Sequence, residues 1–281
     1  MPDTQVSDPL PLEAGSPFEL RLRLSQGLPE TDVRAALKSG DLGFLHSFTT
    51  GATVDGPGVR VVAWTAGCMW RCRYCHNPDT WTMSNGLPIS IARATEELGK
   101  YRHGLAVMAG GFTLSGGEPL MQDRFAVKLM KAAKAMRIHT ALDTNGLYGQ
   151  RLSDEELQHI DLVLLDLKAW NATLHKQLTG MDNGLTLDFA RRLAQRRRPI
   201  WLRYVLVPGL TDDADDIAQL ASFAAQLGNV ERVDVLPFHQ MGKYKWEKLG
   251  IPYTLGDTSP PSEELIQRTI QIFRAEGLAA C

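Results

Sequence analysis

Short runs rich in apolar and β-branched residues recur along the chain at VRVVAWTAG (59–67), GFTLSG (111–116), IHTALDTNG (138–146), DLVLLDLK (161–168), IWLRYVLVPG (200–209) and RVDVLPFH (232–239). Each predicts a strand. Between them the apolar spacing becomes helical, with Phe125, Leu129, Ala132 and Met136 on one face and Ile217, Leu220, Ala224 and Leu227 on another. Thr211, followed by Asp212 and Asp213, predicts a capped helix start with an acidic first turn. PSEELIQRTIQIFRAEG predicts a closing helix. Strand–helix units joined by right-handed crossovers imply a parallel sheet, either doubly wound or curled into a partial barrel.

The polar residues choose between the two. Nearly every strand ends in something chemical: Cys68, SGGE, DTNG, DLK, VPG and PFH. In α/β barrels the C-terminal strand ends converge on one mouth, where catalysis sits. One composite site drawn from every strand fits a barrel better than a linear crevice. The expected fold class is therefore α/β, a partial (β/α)6 barrel over residues 43–281. Residues 1–42 differ: Pro2, Pro9, Pro11, Pro17 and Pro29 punctuate them, and only TDVRAALK (31–38) reads as a short helix, with Thr31 as its N-cap. They are expected to form a loosely ordered N-terminal extension.

Composition narrows the function classes. The chain has 281 residues, 44% hydrophobic and 22% charged, the balance of an ordinary globular protein. A net charge of −2 argues against a broad electrostatic hold on nucleic acid or an anionic membrane. RRLAQRRRP (191–199) concentrates arginines, but at a helix C-terminus, where cations complement the dipole on a solvated face. No apolar run approaches the roughly 20 residues that span a bilayer, and the first residues lack the pattern of a secretory signal. A cytoplasmic protein is expected.

Cysteine carries the sharpest signal. Of four cysteines, Cys68, Cys72 and Cys75 crowd one loop after the first run, and Cys281 stands apart at the end. A disulfide scaffold would spread its cysteines; this cluster points to metal. Three thiolates can hold three corners of a [4Fe–4S] cube and leave one iron open to a substrate. The alternative is zinc with His76 as fourth ligand, against which the crowding of the set counts.

CMWRCRYC resembles the signature of the radical S-adenosylmethionine (SAM) enzymes. HSFTTGATVDGPGVR, GCMWRCRYCHNPDTW, YRHG, SGGEPL, HTALDTNG, DLVLLDLK, RYVLVPG and PFHQMGKYKW resemble, in that order, patterns of the glycyl-radical activases of this family, most closely those acting on pyruvate formate-lyase. The resemblance implies one [4Fe–4S] cluster on Cys68, Cys72 and Cys75, whose open iron takes the amino and carboxylate groups of SAM. Reductive SAM cleavage would give a 5′-deoxyadenosyl radical that removes a hydrogen atom from a glycine Cα of the partner enzyme.

Further site residues follow from residue chemistry and from the resemblance together. Gly116 and Gly117 permit close backbone approach at a strand end; the resemblance sets SGGE, with Glu118, against the SAM amino group. Asp143 and Asp166 end adjacent strands, a costly pairing unless a cation or donor lies between them. The resemblance supplies a monovalent cation there, held by Asp143, Thr144 and Asp166. Helix capping for Asp143 and a salt bridge to Lys168 for Asp166 are the plainer readings. By resemblance Lys168 and His239 contact the carboxylate or ribose region of SAM, and Tyr74 lies against its adenine. Arg203, a charge inside a strand, is placed with the SAM-binding set.

The glycine-rich loop GATVDGPG (51–58) lacks the Lys-Ser/Thr ending of a phosphate loop. By resemblance it receives the target peptide at the mouth, with Asp55 and His76 as contacts. WEKLG, around Trp246, is expected to pack the final helix. Activases with an inserted ferredoxin-like segment need further cysteines, and none occurs between Cys75 and Cys281, so one cluster is the expectation. With no flavin site, flavodoxin or ferredoxin is the expected reductant of a monomeric enzyme. The other readings are a radical SAM enzyme activating a different glycyl-radical enzyme or acting on a small molecule, and an iron–sulfur or zinc interaction module.

Overall fold

The computed structural model describes residues 30–281; what was expected of residues 1–29 lies outside them. The chain runs α1 (Glu30–Ser39), β1 (Leu42–Ala52), β2 (Arg60–Thr65), β3 (Leu87–Ser90), α2 (Ile91–Gly99), α3 (Arg102–Val107), β4 (Gly111–Gly116) and α4 (Asp123–Ala135). It continues through β5 (His139–Thr144), β6 (Leu162–Asp166), α5 (Ala172–Thr179), α6 (Gly184–Gln195), β7 (Ile200–Leu206), α7 (Ala214–Leu227), β8 (Val230–Pro237), α8 (Lys243–Lys248) and α9 (Glu263–Ala275). One eight-stranded sheet has the order β3-β1-β2-β4-β5-β6-β7-β8. From β2 to β8 every pairing is parallel. The ends do not meet, so the sheet is a partial barrel built from the expected six strands.

Two strands were not foreseen. β1 and β3 add antiparallel strands beyond β2. β1 reads LGFLHSFTTGA and buries Leu42, Leu45 and Phe48 but leaves its second half partly open. Gln122 fastens it, accepting from Phe44 N at 2.7 Å and donating to Phe44 O at 2.8 Å and to Ala66 O at 2.9 Å. The opposite edge is covered by the chain's last residues, where Val233 N donates to Ala279 O and Val235 N to Cys281 O. An unpaired barrel edge would otherwise invite association.

The core lies between the sheet and the helices outside it. Phe112, Leu114, Val163, Leu165, Leu202 and Leu206 meet Phe125, Leu129, Leu193, Leu220 and Phe273 in one cluster. Caps set the helix ends. For α7 the cap is Asp213, which accepts from Asp216 N at 2.8 Å. Thr211, expected to share in this start, is instead buried in the β7–α7 loop, where its hydroxyl accepts from Val207 N and donates to Val205 O, each at 2.7 Å. Thr31 lies inside α1 rather than ahead of it. Among the described residues no helix is long and apolar enough to cross a membrane.

Candidate active site

The three clustered cysteines sit on the loop that leaves the C-terminal end of β2, and it is pinned from three directions. Trp81 O accepts from Cys68 N at 3.1 Å. The C-terminal carbonyls of α5 take two more loop amides, Thr179 O from Arg71 N at 2.7 Å and Leu178 O from Arg73 N at 2.9 Å. The indole Nε1 of Trp246, on α8, donates to Cys75 O at 2.8 Å. Trp246 packs edge-on to Trp81 at 5.0 Å and against Tyr253 at 5.3 Å, so it braces the cysteine loop rather than the final helix. None of the cysteines is in a disulfide. Burial pushes all three thiols up, that of Cys72 to about 12, so they remain neutral until a cation draws the proton off.

Inside the barrel, charges from neighbouring strand ends form a chain. Asp143 Oδ2 accepts from Ser115 Oγ at 2.6 Å and from Arg203 Nη1 at 3.0 Å. Arg203 also reaches Asp55 Oδ1 at 3.5 Å. Asp166 pairs with Lys168 Nζ at 2.9 Å. Burial raises Asp143 to about 6, with Arg203 pulling it down and Asp166 pushing it up. Burial likewise raises Asp55. For Arg203 and Lys168 burial opposes the charged form, but the surrounding carboxylates outweigh it and both sit above their ordinary values. Lys168 lies 5.6 Å from the Tyr74 ring centre, and among the described residues the buried Tyr74 hydroxyl has no partner.

Gly116 and Gly117 answer to the backbone first. A Cβ on Gly116, at φ +127°, would lie 2.1 Å from Thr65 N, and one on Gly117 would lie 2.4 Å from Gly67 O. The close approach they allow is of β4 to the end of β2, which brings SGGE beside the cysteine loop. Glu118 is fully buried and saturated: Oε1 accepts from Leu120 N at 2.9 Å and Thr144 Oγ1 at 2.7 Å, and Oε2 from Asn145 N at 2.8 Å. Burial lifts it to about 7 against these donors. It joins the β4 and β5 strand ends, a clamp that sequence spacing could not reveal.

The remaining candidates divide. The His76 and His239 rings stack at 4.0 Å, and His76 Nε2 lies 3.3 Å from His239 O. Burial depresses His76 to about 4. The loop 51–58 joins β1 to β2 at the N-terminal ends of the parallel strands, where Ala52 faces Arg60 and Arg60 faces Gly111. It is thus at the opposite end from the mouth, and only through Asp55 does it touch Arg203 in the interior. Arg60, passed over in the sequence, holds it: this wholly buried guanidinium donates to Thr113 Oγ1 at 3.0 Å, Phe112 O at 2.6 Å and Pro57 O at 3.2 Å. The plain reading of Asp166 holds, since its salt bridge with Lys168 is present, whereas Asp143 pairs with Arg203 instead of capping a helix. In the arginine run, Arg192 and Arg196 both pair with Asp154 on a solvated face.

A parallel partial barrel with a cysteine loop at its mouth defines a class. The sequence model of the Radical SAM superfamily matches residues 62–221, from β2 into α7. The pyruvate formate-lyase 1-activating enzyme of Escherichia coli strain K12 is 42% identical over 238 residues, which are 84% of this chain and 97% of that protein. The pyruvate formate-lyase-activating enzyme of Staphylococcus epidermidis is 41% identical over 242 residues, with 84% and 96% covered. A crystal structure of a domain of pyruvate-formate lyase-activating enzyme from Bacteroides vulgatus aligns at a TM-score of 0.52 and 31% identity, covering 61% of this chain and 98% of that one. The chain belongs to the radical SAM superfamily and, within it, to the family of pyruvate formate-lyase activating enzymes.

Its cofactors are those of the family, a [4Fe–4S] cluster and SAM, and the residues present fit them. Thiols spaced along a loop suit a cube with an iron at each of several corners better than a single zinc. His76, the fourth zinc ligand of the alternative, is turned to His239. The unpartnered Tyr74 hydroxyl is a buried polar atom left for a ligand.

Proposed function

We propose that this chain activates pyruvate formate-lyase by generating a glycyl radical on it. The observation that carries the reading is the set of three buried or half-buried thiols at the barrel mouth, beside the Lys168–Asp166 pair and the free Tyr74 hydroxyl. When bound, the cluster supplies the electron that cleaves SAM into methionine and the 5′-deoxyadenosyl radical that takes the glycine hydrogen.

The chain's own groups bind, orient and exclude water. Cys68, Cys72 and Cys75 would ligate the cluster, and the three-sided pinning of their loop holds the backbone that carries them. Lys168 and His239 present positive or hydrogen-bonding groups to the SAM carboxylate and ribose. Tyr74 offers its ring to the adenine and its hydroxyl to a polar atom. Gly116 and Gly117 bring backbone carbonyl oxygens close to the SAM amino group, and Glu118 acts behind them by locking Thr144 and Asn145. Arg203 keeps Asp143 ionised at neutral pH, so that Asp143 and Asp166 can face a cationic ligand. A monovalent cation at Asp143, Thr144 and Asp166 would share these carboxylates with Arg203 and Lys168. Thr144 could offer it a lone pair, since its proton goes to Glu118.

The partner's glycine loop meets His76 at the mouth, whereas Asp55, buried at the other end of the strands, acts on the site through its contact with Arg203. The same proposal includes a monomer working in the cytoplasm, reduced by flavodoxin or ferredoxin, with its catalytic domain beginning at about residue 43. The test is anaerobic co-incubation with pyruvate formate-lyase, SAM and reductant, followed by electron paramagnetic resonance. A glycyl radical formed in step with 5′-deoxyadenosine is expected. Cleavage of SAM without a radical on the lyase, but with one on another glycyl-radical enzyme, would move the assignment to that enzyme.

A further inference from the structure

The cysteine loop has an inner and an outer side. Inward lie Tyr74 and Lys168, toward the strand ends. Outward, Arg71 covers the Trp81 ring at 4.9 Å, Trp81 meets Trp246, and the indole of Trp246 is hydrogen-bonded to Cys75 O. Through α8 the surface is thus one hydrogen bond from the backbone of a cluster ligand.

That outer face is apolar and basic at once. Met69, Met241, Tyr244 and Leu249 are 47%, 72%, 54% and 40% exposed, although solvent is a poor neighbour for them. With them stand Lys243 and Lys248 of α8, beside a single carboxylate, Glu247, and in the cysteine loop Arg71 and Arg73, whose guanidinium groups donate to Cys68 O and Trp70 O and to Thr254 Oγ1. Lys245 is engaged by Asp79 at 3.0 Å, and Lys243 has only a long contact to Glu247 at 3.9 Å. Among the described residues Arg71, Arg73 and Lys248 make no ion pair, although the whole chain is net negative at −2. Segregating positive charge beside the redox centre of an acidic chain is what steers an oppositely charged partner to a small, polar, transient interface.

We propose that this face, the outer side of the cysteine loop together with α8, is the docking surface for an acidic one-electron carrier protein. The inference rests on the activase reading, in which the bound cluster is reduced from outside. One electron leaves the carrier, which is oxidised, and enters the cluster, which goes from its 2+ to its 1+ state; no proton or atom is transferred.

The test uses the cluster-loaded protein and a bacterial flavodoxin, with the double variant Lys243→Glu/Lys248→Glu. Both lysines are outside the proposed cofactor and substrate sets. Binding of oxidised flavodoxin is measured by titration calorimetry at low and high salt, and reduction of the cluster by photoreduced flavodoxin in anaerobic stopped flow. The double variant should bind about tenfold or more weakly at low salt, with the gap closing at high salt as the charges are screened. Its cluster should be reduced by flavodoxin more slowly by a similar factor. Its melting temperature, and its 5′-deoxyadenosine yield with dithionite, should match those of the unaltered protein. Unchanged flavodoxin affinity at low salt would overturn the proposal. So would a parallel loss of lyase activation under dithionite, which would give the face to the glycyl-radical partner. Failure of the unaltered protein to cleave SAM even with dithionite would instead overturn the activase reading, and this proposal with it.

Discussion

Arg203 joins the Asp143 and Asp55 carboxylates in the barrel interior, so its removal should expose how they are balanced. It contacts Asp143 at 3.0 Å and Asp55 at 3.5 Å, with 14% of its side chain exposed. Arg203→Met keeps much of the apolar stem and deletes the charge. Breaking a buried pair by removing one partner costs about 3–5 kcal/mol, because the other charge is left behind. In the intact protein burial has already carried Asp143 from its ordinary 3.8 to about 6. Without the guanidinium it should rise further, and Asp55 with it, since Arg203 is the largest influence holding each of them down.

The sign of the pH dependence follows. A carboxyl whose pKa is raised in the folded state binds more protons folded than unfolded. Its favourable contribution is complete at low pH and is lost as pH rises through the folded pKa. In the intact protein that loss for Asp143 ends near pH 6; in the variant it continues above it, and each further tenfold weakening of the acid adds about 1.4 kcal/mol. The stability deficit of Arg203→Met should therefore be small near pH 5 and approach its full size near pH 8. Urea unfolding of the cluster-loaded protein under anaerobic conditions, followed by tryptophan fluorescence at both pH values, measures it. A deficit of equal size at both would show that Arg203 serves packing, and the electrostatic argument would be refuted.

Serine in place of Cys68, Cys72 or Cys75 should each abolish iron–sulfur absorbance and SAM cleavage, while Cys281→Ser, in the tail beside β8, should keep both; SAM cleavage by Cys72→Ser would refute the ligand set. Gly116→Ala should lower the melting temperature far more than Gly228→Ala, since both have positive φ but only Gly116 faces backbone at 2.1 Å; similar losses would show that β4 can draw away from β2. Tyr74→Phe should stabilise the SAM-free protein by about 1–3 kcal/mol through loss of an unpaired buried hydroxyl, and weaken SAM binding several-fold; a loss of stability would mean that the hydroxyl has a partner within the protein. A chain starting at Glu30 should cleave SAM like the full chain, as 5′-deoxyadenosine release will read, whereas one starting at Leu42 should melt at a lower temperature, having lost α1 and the Asp41 carbonyl that accepts from Ile91 N.

What could be read from the sequence was whatever is local along the chain. The six parallel strands are compact apolar runs, and their chemistry lies within a residue or two of where each run stops, so Cys68, SGGE, DTNG and DLK were visible without a structure. β1 was not, because His46, Ser47, Thr49 and Thr50 interrupt its apolar positions and its partners come from β2 and β3. The cap of α7 moved to Asp213 because the Thr211 hydroxyl finds two backbone partners of its own. Contacts between distant residues stayed hidden altogether. Glu118 meets Asn145, Arg203 meets Asp55 and Trp246 meets Cys75, and in each pair neither residue's neighbours announce the other. Only an unexplained charge, such as Arg203 within a strand or Arg60 beside a glycine-rich turn, marks such a partnership in advance.

Those hidden contacts make the two halves of the site one mechanical unit. Asp166 and Lys168 close β6, and the chain passes from them through Asn171, which caps α5 by accepting from Leu174 N at 3.0 Å. The far end of α5 gives its carbonyls to Arg71 and Arg73 in the cysteine loop. On the other side, Gly67 O, one residue before Cys68, accepts from Glu118 N at 2.8 Å, and the Glu118 carboxylate holds Thr144 and Asn145 next to Asp143. The cysteine loop is therefore tied to the carboxylate on β5 through Glu118 and to the carboxylate on β6 through α5. A shift in either strand end must move the loop, because one tie runs through the backbone of α5 and the other through a buried carboxylate fixed by three hydrogen bonds. Electron transfer followed by bond cleavage demands that constancy of geometry, and two short struts supply it.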